Sequence, residues 1–334
     1  GIDVVIGNYN KSNIVDLVEE NLKTKKQIIA KENIMTVPFE DMEINHTATR
    51  TRAFVKIQDG CENYCAYCII PFVRGRCRSK RPEMVIEELT NLVRNGYKEI
   101  VLTGIHTGNY GKDLNTNFSD LLEEILKIKG LKRLRISSIE TTELDDKFFE
   151  LLKNPILCNH LHIPLQSGSD NVLKLMNRKY TKEEYKSIID KIRRIRPDIS
   201  ITTDVIVGFP QETDEDFEES METIRDISFS KVHVFPYSKR NGTKAARMSG
   251  HIDGNTKKER TKKLLKLSEE LEENYYNSFI GKEEEILIET RKNDKAYGHT
   301  SNYLYLALSG DYKENEIYKI KVEEKMFQNN KITV

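Results

Sequence analysis

Residues 52–76 read RAFVKIQDGCENYCAYCIIPFVRGR. Residues 53–58 of this stretch read as a strand, the strand stops at Asp59-Gly60, and three cysteines follow, Cys61, Cys65 and Cys68, in the spacing C-x3-C-x2-C. Three closely spaced thiolates suit zinc or an iron–sulfur cluster. Zinc would want a fourth protein ligand nearby, and His46 and His106 do not sit at finger-like spacing. On a cubane of four irons, three cysteines leave one iron open to a substrate or cofactor. Of the five cysteines in the chain, only Cys77 and Cys158 stand apart from this triad; an odd total is no disulfide scaffold and favours a reducing, cytoplasmic setting.

Outward from this stretch the chain alternates strands and helices. Strands are expected at 53–58, 99–103, 133–138, 160–166, 200–207 and 231–237, with helical periods at 82–95, 118–128, 145–153, 181–195 and 214–227. Six strands separated by helices imply a parallel sheet with right-handed crossovers. About 190 residues are too few for a complete eight-fold barrel, which takes about 250, so an α/β fold with a partial (β/α)6 barrel is expected. The cysteines then fall at the C-terminal end of the first barrel strand, where barrels build their sites. Polar or glycine residues end the later strands at the same rim: Thr103-Gly104, Ser137-Ser138 with Glu140, Gln166-Ser167-Gly168, Gly208-Phe209-Pro210 and Pro236-Tyr237-Ser238.

A long charged helix is expected from Asn255 to Asn277, basic first and acidic second. That order opposes the helix macrodipole, so tertiary contacts or partners must hold it. From Ile280 the runs EEILIET, NYLYLAL, EIYKIKVEE and KITV predict a small all-β barrel. At the other end, residues 2–7 predict a short strand and Asn13–Leu22 an amphipathic helix, with 23–50 read as a polar linker. The 334 residues carry 53 basic and 53 acidic side chains, a net charge of zero that excludes a generic nucleic-acid binder and leaves only local patches. No apolar run is long enough to span a membrane, and no secretory signal opens the sequence.

The cysteine spacing, the aromatic Tyr67 before the last cysteine and the preceding barrel strand resemble the radical S-adenosylmethionine (SAM) superfamily. Residues 52–61 and 68–76, the run 162–170 (HIPLQSGSD), 176–181 (MNRKYT) and 204–210 (DVIVGFP) resemble, more narrowly, the tRNA methylthiotransferases. The segment 102–111 (LTGIHTGNYG) and Ser137-Ser138-Ile139-Glu140 resemble the branch acting on N6-threonylcarbamoyladenosine at position 37; the isopentenyladenosine branch has a Gln-Asn pair where Ile105-His106 stand.

The resemblance implies a 4Fe–4S cluster on Cys61, Cys65 and Cys68, with SAM on the open iron, and replacement of the adenine C2 hydrogen by a methylthio group. It implies that Tyr67, Thr103, Gly104, Ser137, Glu140, Gln166 and Ser167 line the SAM and substrate pocket. It implies as partners the tRNA anticodon loop, a sulfur donor and an electron donor such as flavodoxin or ferredoxin, and no membrane. It divides the chain into 1–48 (a remnant of an N-terminal methylthiotransferase domain plus linker), 49–278 (radical SAM core) and 279–334 (an RNA-binding TRAM-like domain). The family's N-terminal domain carries three further cysteines for a second cluster. The first cysteine here is Cys61, so the chain reads as a fragment of such an enzyme.

Arg74, Arg76, Arg78, Lys80 and Arg81 place five cations in eight residues after the triad, read either as phosphate contacts or as arginines paired to barrel carboxylates. Cys77 sits among them, where its thiolate could be favoured, although a spare thiol is the plainer reading. The β domain holds nine basic and ten acidic residues, so RNA binding there rests on resemblance. His106, His160 and His162 near strand ends are expected to be packed or hydrogen-bonded, and Glu212, Asp214, Glu215 and Asp216 to complement a helix dipole. Competing readings are a methylthiotransferase for isopentenyladenosine-37 or for a ribosomal protein, and a non-enzymatic RNA-binding metalloprotein.

Overall fold

The computed structural model describes residues 1–42 and 51–327; His46 and the KITV run fall outside them. A parallel pair, β1 (Val4–Ile6) and β2 (Ile28–Ala30), flanks α1 (Ile14–Thr24). The barrel runs through β3 (Arg52–Asp59), α2 (Ile70–Arg74), β4 (Arg78–Ser79), α3 (Pro82–Arg94), β5 (Glu99–Gly104), α4 (Phe118–Leu126), β6 (Arg133–Ile136), α5 (Asp146–Leu151) and β7 (His160–His162). It continues through α6 (Asp170–Leu175), α7 (Lys182–Ile195), β8 (Ser200–Val207), α8 (Asp214–Ile227), β9 (Lys231–Pro236) and α9 (Gly254–Asn277). The chain ends in β10 (Glu283–Lys292), β11 (Lys295–Thr300), β12 (Tyr305–Ser309) and β13 (Ile317–Lys321).

The expected partial barrel is present. β3, β5 and β6 pair in parallel, as do β7, β8 and β9, and a bridge between Leu134 and Leu157 joins the two groups. Alternate strand residues such as Val55, Ile57, Leu102, Ile201 and Val205 meet the apolar stripes of the helices, among them Leu89, Leu122, Phe148, Ile189 and Ile224, in one core. Each such side chain contributes about 1.5–3 kcal/mol on full burial. β6 and β7 are shorter than the periodicity implied: β6 ends at Ile136, and β7 ends at His162, with Pro164, which has no N–H, standing before a lone bridge at Gln166. The antiparallel β4, inserted after the cysteines, pairs with the end of β3 and had no signal of its own.

The β domain is an antiparallel sheet in the order β12-β11-β10-β13, with its own core of Ile286, Ile288, Leu304, Leu306 and Leu308. β11 escaped the periodicity reading because Gly298 interrupts it. The glycine is required there, since a Cβ would run into the Leu287 carbonyl of the paired strand. α9 is held by tertiary contacts, as its charge order demanded. Arg260 is buried against Glu212 (2.6 Å) and Asp214 (2.8 Å), and Leu264 and Leu267 enter the barrel core. The stretch read as a linker contains β2, whose three residues are too few to register as periodic. The apolar side of α1 (Ile14, Val18, Leu22) is exposed among the described residues.

The sheet domain plugs the N-terminal end of the barrel. Glu99, fully buried, gathers Arg135 (2.7 Å), Arg133 (3.6 Å) and Arg52 (3.9 Å). The same guanidiniums reach across: Arg135 to the carbonyls of Thr300 and Ser301, Arg133 to those of His299 and Glu285, and Arg52 to Glu289.

Candidate cofactor site at the barrel rim

β3 delivers the cysteines to the rim through Asp59-Gly60. Gly60 has φ +76°, and a Cβ there would run into the Arg76 carbonyl as the chain returns alongside. Asp59 anchors this turn: it accepts from the Gly60 N–H (2.8 Å) and from Lys56 (2.5 Å), with Arg78 at 3.4 Å and Arg74 at 3.7 Å. Burial opposes its charge, but these donors outweigh burial and hold its carboxyl below the usual range. Backbone bonds then pin the loop, Cys61 to Gly75, Ala66 to Met176, and Ala245 to Ala66.

All three cysteines are free and half-buried. Burial pushes the Cys65 and Cys68 thiols up, and the neighbouring thiols add to it at both. The counter-charge is Arg178, whose Nη1 lies 3.3 Å from Cys65 Sγ and 3.0 Å from Glu140. On the other side His106 stands 3.7 Å from Cys61 Sγ, pairs with Glu143, and lies 3.8 Å from Glu140. Burial alone would lower its pKa; the contacts with Cys61 and Glu143 prevail and raise it to about 10. Asn63 Nδ2 joins the network at Glu140 (3.2 Å).

The donor set fits a cluster. Three free, half-buried thiols on one loop suit the separate irons of a cluster. Arg178 Nη2, Thr107 Oγ1 and the Tyr237 hydroxyl are buried without a hydrogen-bond partner among the described residues. Buried polar groups in that state point to a missing partner. An aromatic row leads away from the triad: Tyr67 against Phe209 (6.5 Å between centroids), Phe209 against Tyr237 (5.3 Å), Tyr237 against His251 (5.9 Å).

The other expected site residues divide. Gly104 ends β5 with Gln58 and Thr107 close above it, while the Thr103 hydroxyl bonds the Val55 carbonyl (3.2 Å). Ser137 opens into a cavity of about 430 Å³ between the barrel, α9 and the β domain, shared with His160, His162, His233, Tyr275, His299 and Tyr303 and with none of the three cysteines. Gln166 stands at φ +68° at the rim, its backbone bonded to Asp204 and Ile206. Glu140 sits at the centre of the ionic network. Ser167 departs from expectation: it is buried against α8, its hydroxyl 3.2 Å from that of Ser220, and faces away from the rim.

The arginine run is corrected in part. Arg78 is buried between Asp59 and the Ile34 carbonyl (3.0 Å), Lys80 is buried between Glu88 and Asp41, and Arg74 leans on Asp59. Arg78 and Lys80 fasten the N-terminal unit to the cysteine loop; of the five cations only Arg76 and Arg81 are exposed. Cys77 is likewise no activated thiol, since burial pushes it up to about 11. Arg178 and Asn177, which bonds the Tyr64 carbonyl (3.0 Å), were missed as site residues. They lie over a hundred residues from the cysteines, and only the quoted MNRKYT run could have marked them.

Residues 55–224 match the Radical SAM superfamily. The chain is 42% identical over 332 residues to a threonylcarbamoyladenosine tRNA methylthiotransferase of Bacillus subtilis, covering 96% of this chain and 74% of that protein. It is 40% identical over 308 residues to a tRNA-2-methylthio-N(6)-dimethylallyladenosine synthase of Caldicellulosiruptor saccharolyticus, covering 90% of this chain and 64% of that one. Among solved structures, the radical SAM coproporphyrinogen III oxidase of Escherichia coli aligns with TM-score 0.51 at 14% identity, over 78% of this chain and 67% of that one, which speaks for the shared fold alone. With its cysteine triad at the mouth of a six-stranded partial barrel and an antiparallel β sheet behind it, this chain belongs to the radical SAM methylthiotransferase family.

Proposed function

We propose that the chain acts as a tRNA methylthiotransferase that places a methylthio group on C2 of N6-threonylcarbamoyladenosine at position 37. The observation that carries this reading is the convergence of Cys61, Cys65 and Cys68 with Arg178, Glu140 and His106 at the C-terminal rim. The three thiolates would hold a 4Fe–4S cluster, whose chemistry when bound is the one-electron reductive cleavage of SAM. Arg178 offsets thiolate charge and is itself fixed by Glu140. The Tyr67–Phe209–Tyr237 row offers an apolar bed for an adenine ring, with the unpartnered Tyr237 hydroxyl beside it. Thr103, Gly104, Ser137, Glu140 and Gln166 are proposed as the surrounding pocket.

The threonylcarbamoyl branch is supported by the higher identity, 42% against 40%, and by the Ile105-His106 segment. His106 is the side chain that ties the end of β5 to both Cys61 and Glu143. Residues 1–48, 49–278 and 279–334 are proposed as N-terminal unit, radical SAM core and RNA-gripping domain. A sulfur donor and a reductant such as flavodoxin or ferredoxin complete the reaction. The second cluster of the family finds no donor triad here, since Cys77 and Cys158 are buried apart. The test is the nucleoside profile of tRNA from cells with the gene deleted. Loss of the methylthio group from threonylcarbamoyladenosine is expected. Its loss from isopentenyladenosine would move the chain to the other branch, and an unchanged profile would overturn the reading.

A further inference from the structure

The basic half of α9 has no role in the reading so far. Lys257, Lys258, Lys262, Lys263 and Lys266 line one side of a groove of about 1260 Å³, Lys239 from the loop after β9 stands on the other, and Glu269 closes its far end. Positions 258, 262 and 266 are four apart, so they stack on one helix face, opposite the buried Arg260, Leu264 and Leu267. Like charges stacked this way, in the half of a helix where the dipole disfavours cations, weaken the helix unless something offsets them. Little within the chain does. Lys263 and Lys266 have acidic neighbours only at 3.8 and 3.9 Å, and Lys239, Lys257, Lys258 and Lys262 have none among the described residues.

The groove begins at the candidate site. The stem of Lys257 lies over Gly208, where φ is +69° and a Cβ would run into it, and Phe209 next to it belongs to the aromatic row beside Tyr67. From there the lysines run along α9 until Glu269, Glu270, Glu272 and Glu273 reverse the charge. Exposed Phe235 and Leu265 give the same region apolar surface. A row of unpaired ammonium groups that starts at the rim and ends abruptly fits an extended polyanion entering the site.

We infer that the groove between α9 and the loop after β9 binds the phosphate backbone of the substrate RNA and leads it to the rim. The inference rests on the tRNA reading above and transfers the phosphate contacts from Arg74 and Arg78, which the fold engages, to the lysines. The test uses the whole 334-residue chain with purified tRNA, measuring affinity across a salt series. Changing Lys239, Lys258, Lys262 and Lys266 together to Gln should lower the slope of log affinity against log salt by about 3 and weaken low-salt binding by about tenfold or more. Glu269→Lys should tighten binding and steepen the slope by about 1, a gain that a merely structural residue would not produce. If the unaltered chain binds tRNA with a steep salt dependence and neither variant moves it, the groove is not the track and the tRNA reading stands. If the unaltered chain does not bind tRNA, both fall.

Discussion

The two ends of the barrel are both built on buried charge, yet they treat it differently. At the N-terminal end Glu99 is surrounded by three arginines, and those arginines also bond carbonyls or a carboxylate of the β domain. At the C-terminal end Arg178, His106, Glu140 and Glu143 pair with one another beside three thiols, and Arg178 Nη2 and the Thr107 and Tyr237 hydroxyls have no hydrogen-bond partner among the described residues. A buried network whose guanidiniums find partners within the chain acts as mortar. An unsaturated one at a pocket marks where a ligand must complete it.

The largest contrast is chemical. Cys65→Ala should take reconstituted iron from about four atoms per chain to none, while leaving the melting temperature nearly unchanged because backbone bonds hold the loop. A large drop in melting temperature would make the rim as structural as the seam. Glu99→Ala should do the reverse, costing about 3–5 kcal/mol by stranding three buried guanidiniums, with the spectral signature of the cluster unchanged in whatever chain remains folded. Denaturant titration measures the loss, and a change under about 1 kcal/mol would show that the seam does not depend on its charge centre.

Arg178→Gln sharpens the comparison within the rim. It should leave iron content intact and lower SAM cleavage by about 10- to 100-fold, the usual effect of removing a neighbour that orients a metal ligand. Retained activity would reduce Arg178 to packing against Tyr180. The smallest effect is a pH dependence at the seam. Burial, then the Asp198 charge, push the Glu284 carboxyl from its ordinary 4.5 up to about 7. A raised acid binds its proton more tightly when folded, so the chain loses stability as pH rises from about 4.5 through about 7. Glu284→Gln should therefore raise the melting temperature at about pH 8 and leave it unchanged at about pH 4. An equal gain at both would show that the carboxyl does not titrate in that window.

Much of this was legible in the sequence because it is local. The triad spans eight residues, and its spacing marks a metal or iron–sulfur site that the family resemblance narrows to a cluster. The six barrel strands and five of their helices follow from the alternation of apolar residues, which any sheet covered by helices must show. The same run, though, misled at Arg78. Five cations in eight residues are equally a phosphate patch or a set of struts, and only the position of Asp59 and the Ile34 carbonyl selects struts for Arg78. Ser167 was misread for a similar reason: a polar residue at a strand end can face the pocket or the helix behind it, and the turn after Gln166 directs it to Ser220. β2 and β11 were lost because three residues, or six interrupted by Gly298, carry too weak a period.

By itself, then, the sequence determined the class of fold and the rim at which the cysteine triad stands, since periodicity and short-range spacing are written along the chain. The tertiary structure alone decided which charges are mortar and which are left open. Arg178 meets Cys65 across 113 positions, Arg135 meets Ser301 across 166, and Lys257 of α9 meets the rim at Gly208. Coulomb and hydrogen-bond energies depend on distance in space and on burial, and neither can be read from separation along a chain.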